Sequence, residues 1–118
     1  MTDIRLVAIE LTTLSPLMVD KEKLALEEIA DGETVVSVDA VDLIEVDGEE
    51  VCVFTTKEYP NYFSFGGIVL KNLVNGIMDK TKATIDEINV ELSKTPLQMV
   101  FTRSKTKKGK DVTIIKIV

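Results

Sequence analysis

From Thr34 to Val46 the even positions read Val36, Val38, Ala40, Asp42, Ile44 and Val46, a nearly strict alternation. Successive side chains of a strand point to opposite faces, so this pattern predicts a long strand with one face buried. Asp42, set between the apolar Val41 and Leu43, disturbs the phase and predicts a β-bulge. Asp47-Gly48 follows at once. Both central residues of a type I′ turn need φ > 0, which suits this pair, so Glu50 to Thr56 is predicted as the antiparallel partner. The middle of the chain is thereby committed to a sheet.

The flanking segments build on that hairpin. Ile4, Leu6, Val7, Ile9 and Leu11 predict a first strand over Ile4 to Leu11, ended by Ser15-Pro16. Lys21 to Ala30, between Asp20 as an N-cap and Asp31-Gly32 as a stop, reads as either a short helix or a folded loop. Tyr59-Pro60-Asn61-Tyr62-Phe63-Ser64-Phe65 gathers aromatics beside a turn, with Ser64 placed as the N-cap of the next helix. In that helix Val69, Leu70, Leu73, Val74, Ile77 and Met78 form one apolar stripe at helical spacing. Thr84 with Glu87 resembles a capping box, which favours a second short helix over Thr84 to Leu92, although Ile88, Val90 and Leu92 also alternate as a strand does. Thr95-Pro96 ends it. A terminal hairpin follows, from Leu97 to Thr102 and from Asp111 to Val118, with its turn near Lys108-Gly109.

Composition removes several functions. With 118 residues, 45% of them hydrophobic, the chain fits one domain with a real core. There is no histidine, which excludes Ser-His and Cys-His catalytic pairs and HExxH zinc sites. Glu27, Glu28, Asp31 and Glu33 fall near expected helix ends and turns, where solvated carboxylates are the ordinary outcome. No GxxxxGK[ST], GxGxxG or EF-hand loop occurs, and Gly66-Gly67 alone is a weak phosphate-loop signal. The expectation is a protein that is not an enzyme and carries no cofactor and no metal. Cys52, within Val51-Cys52-Val53-Phe54, reads as a buried core thiol in a reducing compartment. No apolar run reaches the roughly 18 residues of a membrane span, and Met1 to Glu10 lacks the plan of a signal peptide. No membrane partner and a cytoplasmic location are expected.

Charge is partitioned along the chain. Residues 1–50 carry three basic and fourteen acidic side chains, net −11, and residues 51–118 carry eleven basic and six acidic, net +5. Between Arg103 and Lys110 stand five cations, Arg103, Lys105, Lys107, Lys108 and Lys110, and no anion. A basic hairpin tip on a protein of net charge −6 points to an anionic polymer as partner. A Lys-rich hairpin that protects a sheet edge from aggregation is the plainer alternative.

The order of elements, strand, irregular segment or short helix, strand, strand, helix, then a strand pair, is that of an OB-fold. The fold class expected is mainly β with one or two helices: an OB-fold-like five-stranded antiparallel barrel, with a helix between strands 3 and 4, formed by residues 1–118 as one domain. From Ala30 onward the chain resembles the single-stranded-DNA-binding proteins of small protein-primed Bacillus phages. The resemblance rests on Asp31-Gly32 leading into a strand, the aromatic loop of Tyr62 entering the Leu73 helix, and Lys108-Gly109 before the last strand; Lys80 to Lys94 runs longer than in those proteins. It implies a non-catalytic viral protein that coats single-stranded DNA during DNA replication in phages or mobile elements, in the host cytoplasm.

Such a protein needs cations along the backbone path and flat side chains on which bases stack. Arg103, Lys105, Lys107, Lys108 and Lys110 supply the cations, Tyr59 and Tyr62 are the candidate stackers, and Lys57 extends the path. Phe63 and Phe65 read mostly as core. Phe54 and Phe101 are left open between the interior and the binding face. RNA as a second ligand and a homo-oligomer are also left open. The alternative function is an adaptor or self-assembling subunit whose acidic N-terminal half docks on the basic hairpin of a neighbouring copy.

Overall fold

The computed structural model describes Ile4 and residues 15–118. The expected strand Ile4 to Leu11 lies, Ile4 apart, outside the described residues. The elements are β1 (Glu22–Lys23), β2 (Asp31–Val46), β3 (Glu49–Thr56), β4 (Tyr62–Phe65), α1 (Gly67–Thr81), α2 (Ile85–Lys94), β5 (Leu97–Lys105) and β6 (Asp111–Ile117). The strands form one open six-stranded sheet in the order β1-β4-β3-β2-β5-β6. All neighbours are antiparallel except β1 and β4, which run parallel. The mainly β class, with two helices among the described residues, agrees with the mainly β class of one or two helices that the sequence predicts.

β2 organises the sheet because its two halves serve different partners. Ala40–Val46 pairs with β3, Asp31–Val38 pairs with β5, and both pairings reach Val38. The register shifts between Val38 and Ala40, so the bulge foreseen from Asp42 sits a few residues earlier. There the phase facing the main core changes: Val36 and Val38 belong to that core before it, Val41 and the partly buried Leu43 after it. Three side-chain hydrogen bonds fix the irregular backbone. Thr55 Oγ1 donates to Asp39 at 2.7 Å, and the Asn89 amide of α2 accepts from Val41 N–H at 2.8 Å and donates to Val41 C=O at 2.9 Å. The turn after β2 is as predicted, with Asp47 at φ 52° and Gly48 at φ 81°.

The main core joins Val36, Val38, Cys52, Phe54, Met99 and Phe101 of the sheet to Leu70, Val74 and Ile88 of the helices. α1 touches both β3 and β6, which are not neighbours in the sheet, so this helix spans the concave side. Its stripe is partly realised: Leu70 and Val74 are buried, while Leu73, Ile77 and Met78 pack against the core from its edge. Thr84 and Glu87 form the capping box of α2, which settles residues 85–94 as helix. A second cluster, Ile44, Val53 and Phe63, covers the other face of the β2-β3-β4 corner, which is why β3 reads as a continuous buried run.

Two expectations are corrected, the closed barrel and the Ser64 N-cap, and one open choice is resolved. The sheet is open and mixed with six strands, so the closed five-stranded antiparallel barrel is absent among the described residues, and α1 follows the fourth described strand. The extra strands are short and were hidden in segments that read as loops. Tyr62–Phe65 pairs with β3, and β1 joins it through Glu22 N–H to Asn61 C=O at 3.1 Å and Leu24 N–H to Phe63 C=O at 2.8 Å. Ser64 therefore stands inside β4, buried, its hydroxyl donating to Leu24 C=O at 2.9 Å, and Gly66 takes the N-cap position of α1. Any Cβ at Gly66 would collide with Leu70, so the tight entry from β4 into α1 requires glycine. Lys21–Ala30 is the folded loop, holding β1 and a single 3-10 turn at Leu26–Glu28.

Candidate nucleic-acid interface

The pairing of β2 with β5 ends at Asp31 and Thr102, but β5 and β6 continue to pair out to Lys105 and Asp111. Beyond Thr102 the hairpin is thus a two-stranded arm. Its end is a turn closed by Gly109 N–H to Thr106 C=O and Thr106 N–H to Lys110 C=O, each 2.9 Å, with Thr106 Oγ1 accepting from Lys110 N–H at 3.2 Å. Gly109 at φ 78° makes that geometry possible without strain.

Lys105, Lys107, Lys108 and Lys110 are exposed on this arm, and none has a carboxylate within ion-pair distance among the described residues. Arg103 differs. Its guanidinium meets Glu27 at 3.1 Å and Asp111 at 3.5 Å. Unlike the lysines of the arm, it is already held by two carboxylates. Asp111 lies one residue beyond the five-cation run, diagonal to Arg103 across the hairpin, and Glu27 arrives from 76 residues away. The first was visible in the sequence; the second was not.

The aromatic candidates lie elsewhere. Tyr59 and Tyr62 are half-buried and pack against the main core, in and beside the connection from β3 to β4. Lys57 is exposed, and its N–H bonds Ser37 C=O at 3.0 Å. Ser37 is opposite Gln98 in the β2-β5 ladder. Gln98 precedes Lys105 by seven residues, about 23 Å of extended strand. Lys57 thus lies about one length of β5 from the arm, and Tyr59 and Tyr62 pack on the core rather than on the arm itself. Phe54 and Phe101 are both fully buried, so they belong to the interior. Phe63 is buried as well, whereas Phe65 is half-buried with Lys23 Nζ 5.2 Å above its ring.

Ionisation behaviour away from the arm is structural. Burial pushes the Cys52 thiol up to about 12, helped by Asp42 and Glu50. Hydrogen bonds from the Thr34 hydroxyl and from the N–H groups of Thr34 and Glu33 hold Asp31 down at about 2. Partial burial would raise Glu58, but the N–H and hydroxyl of Ser37 bind its carboxylate and bring it below its ordinary value. No cluster of three metal-ligating side chains occurs among the described residues, and none of their helices is long and apolar enough to cross a membrane.

Comparison with protein families, with curated proteins and with solved structures found no match for this chain.

Proposed function

We propose that this protein is a non-catalytic single-stranded-DNA-binding protein that holds its ligand through the β5-β6 arm with little sequence preference. The observation that carries the reading is the set of four exposed lysines, Lys105, Lys107, Lys108 and Lys110, with no ion-pair partner among the described residues, on an arm that extends past the core. No carboxylate interrupts the chain from Arg103 to Lys110, and Asp111, opposite Lys105, is engaged by Arg103. Backbone phosphates supply the complementary charge, and lysine, a flexible point charge, reads no sequence from them.

The finer reading of the fold supports the same conclusion. β2, β3 and β4, then α1, then β5 and β6, follow the strand and helix order of an OB-fold, with β1 as an added edge strand and α2 as a second helix. The terminal hairpin of that architecture is one of the loops that contact oligonucleotides. The net charge of −6 does not oppose this, because potential near a surface is set by charges within a Debye length, roughly 8 Å at physiological salt. Coating of single strands during phage or mobile-element replication in a host cytoplasm is the setting this reading implies.

The test is titration with fluorescein-labelled oligo-dT at low salt, alongside duplex DNA of equal length. The reading expects a shift with the single strand and a weaker one with the duplex. Absence of any single-strand binding, together with salt-dependent self-association of the protein alone, would favour an assembly subunit instead.

A further inference from the structure

We propose that a groove at the base of the arm seats one nucleotide of the bound strand, with Phe65 stacking its base and Lys23 and Arg103 taking its phosphates, and that Glu27 occupies Arg103 until the strand arrives. This inference rests on the single-strand-binding reading above and adds to it a site outside the lysine turn.

The groove has a volume of about 390 Å³ and is lined by Lys23 and Phe65 on the β1-β4 side, by Ile68 at the start of α1, and by Arg103, Asp111 and Thr113 at the base of the arm. That size lies within the roughly 300–1,000 Å³ of small-ligand sites. Because Asp111 stands opposite Lys105, the groove is continuous with the lysine turn, and a strand crossing the turn can reach it. Phe65 is held by an edge-to-face contact with Phe63, centroids 5.8 Å apart and planes at 82°. Lys23 Nζ already sits 5.2 Å above the Phe65 ring, as a cation attracted to its π-face. A base can take that face while the ammonium moves aside to the phosphate.

The groove carries no excess positive charge in the free protein. Glu27 and Asp111 balance Lys23 and Arg103. The Glu27 side chain is 63% exposed, and an ion pair at that exposure contributes little, so a phosphate can replace it on the guanidinium with better, bidentate geometry. Glu27 then acts as a gate that gives way to the ligand.

Six proteins test this with fluorescein-labelled oligo-dT: wild type, Glu27→Gln, Glu28→Gln, Phe65→Leu, Phe65→Tyr and, as the tip variant, Lys107→Glu with Lys108→Glu. Glu28 is exposed, has no ion pair among the described residues, and controls for a general change of charge. Glu27→Gln should bind about threefold tighter or more, with Glu28→Gln close to wild type. Phe65→Leu should bind at least about fivefold weaker, as loss of one stacked base requires, and Phe65→Tyr should retain affinity even if the Leu variant folds poorly. Equal affinities for Glu27→Gln and Glu28→Gln, or an unchanged Phe65→Leu, with a tip variant still losing binding, would overturn the groove alone. Wild-type protein that binds no oligo-dT at low salt would overturn the single-strand-binding reading, and the groove with it.

Discussion

The rings of Phe54 and Phe101 stack with centroids 5.3 Å apart and planes 19° from parallel, although β3 and β5 are separated by β2. Strands two positions apart in a flat sheet stand about 9.6 Å from each other, so the inner faces must converge. The contact is a direct sign of the curl that makes the concave core. Phe101→Ala should cost about 3–5 kcal/mol in urea unfolding, and a double-mutant cycle with Phe54→Leu should return a coupling of about 0.5–1.5 kcal/mol. A coupling of zero would mean that the rings do not sense each other and that the curl is shallower.

Asn89 holds the bulge to α2 by bonding both backbone groups of Val41. Asn89→Leu keeps the volume and leaves those two groups without partners. A loss of about 1–3 kcal/mol is expected, because unsatisfied backbone groups cost their full desolvation. Native-state hydrogen exchange at Val41 should accelerate in the variant. Unchanged exchange there would place the anchor elsewhere.

Cys52 should be inert. A thiol raised to about 12 has almost no thiolate at neutral pH, and the side chain has no exposed surface. Ellman's reagent should react with it only after denaturant is added, at a rate that follows unfolding.

Asp31 should give the fold a specific sensitivity to acid. Its carboxylate, held at about 2 by the Thr34 and Glu33 donors, is depressed relative to the unfolded chain. The stabilisation is therefore complete above the ordinary Asp value, near 4, and is lost as pH falls through about 2. Thermal unfolding of Asp31→Ala and wild type should differ at pH 6, and the difference should shrink as pH approaches 2. A difference independent of pH would show that the side chain acts through shape alone.

Local patterns made the hairpin around Asp47-Gly48, both helices and the terminal turn legible, because each rests on contacts within a few residues. Thr84 and Glu87 are three apart, and Gly109 needs only its own φ. What stayed hidden depends on distant partners. Tyr62–Phe65 is a strand because β3 and β1 flank it, and nothing in four residues announces that. The same holds for the candidate site. The lysines of the turn were evident as a run, whereas the neutralisation of Arg103 by Glu27 and the meeting of Lys23 with Phe65 arise only when the sheet curls. Tyr59 and Tyr62, grouped with the lysines by chemistry, pack instead against the main core.

The salt dependence of oligo-dT affinity bears most directly on the central claim that the unpaired lysines of the arm carry the contact. With four lysines on phosphates, log K against log salt should fall with a slope of about −3, steepening to about −4 with Lys23 and Arg103 also engaged, and Lys107→Glu with Lys108→Glu should abolish binding while leaving thermal stability unchanged. A slope near zero, or full affinity in the double charge reversal, would contradict it.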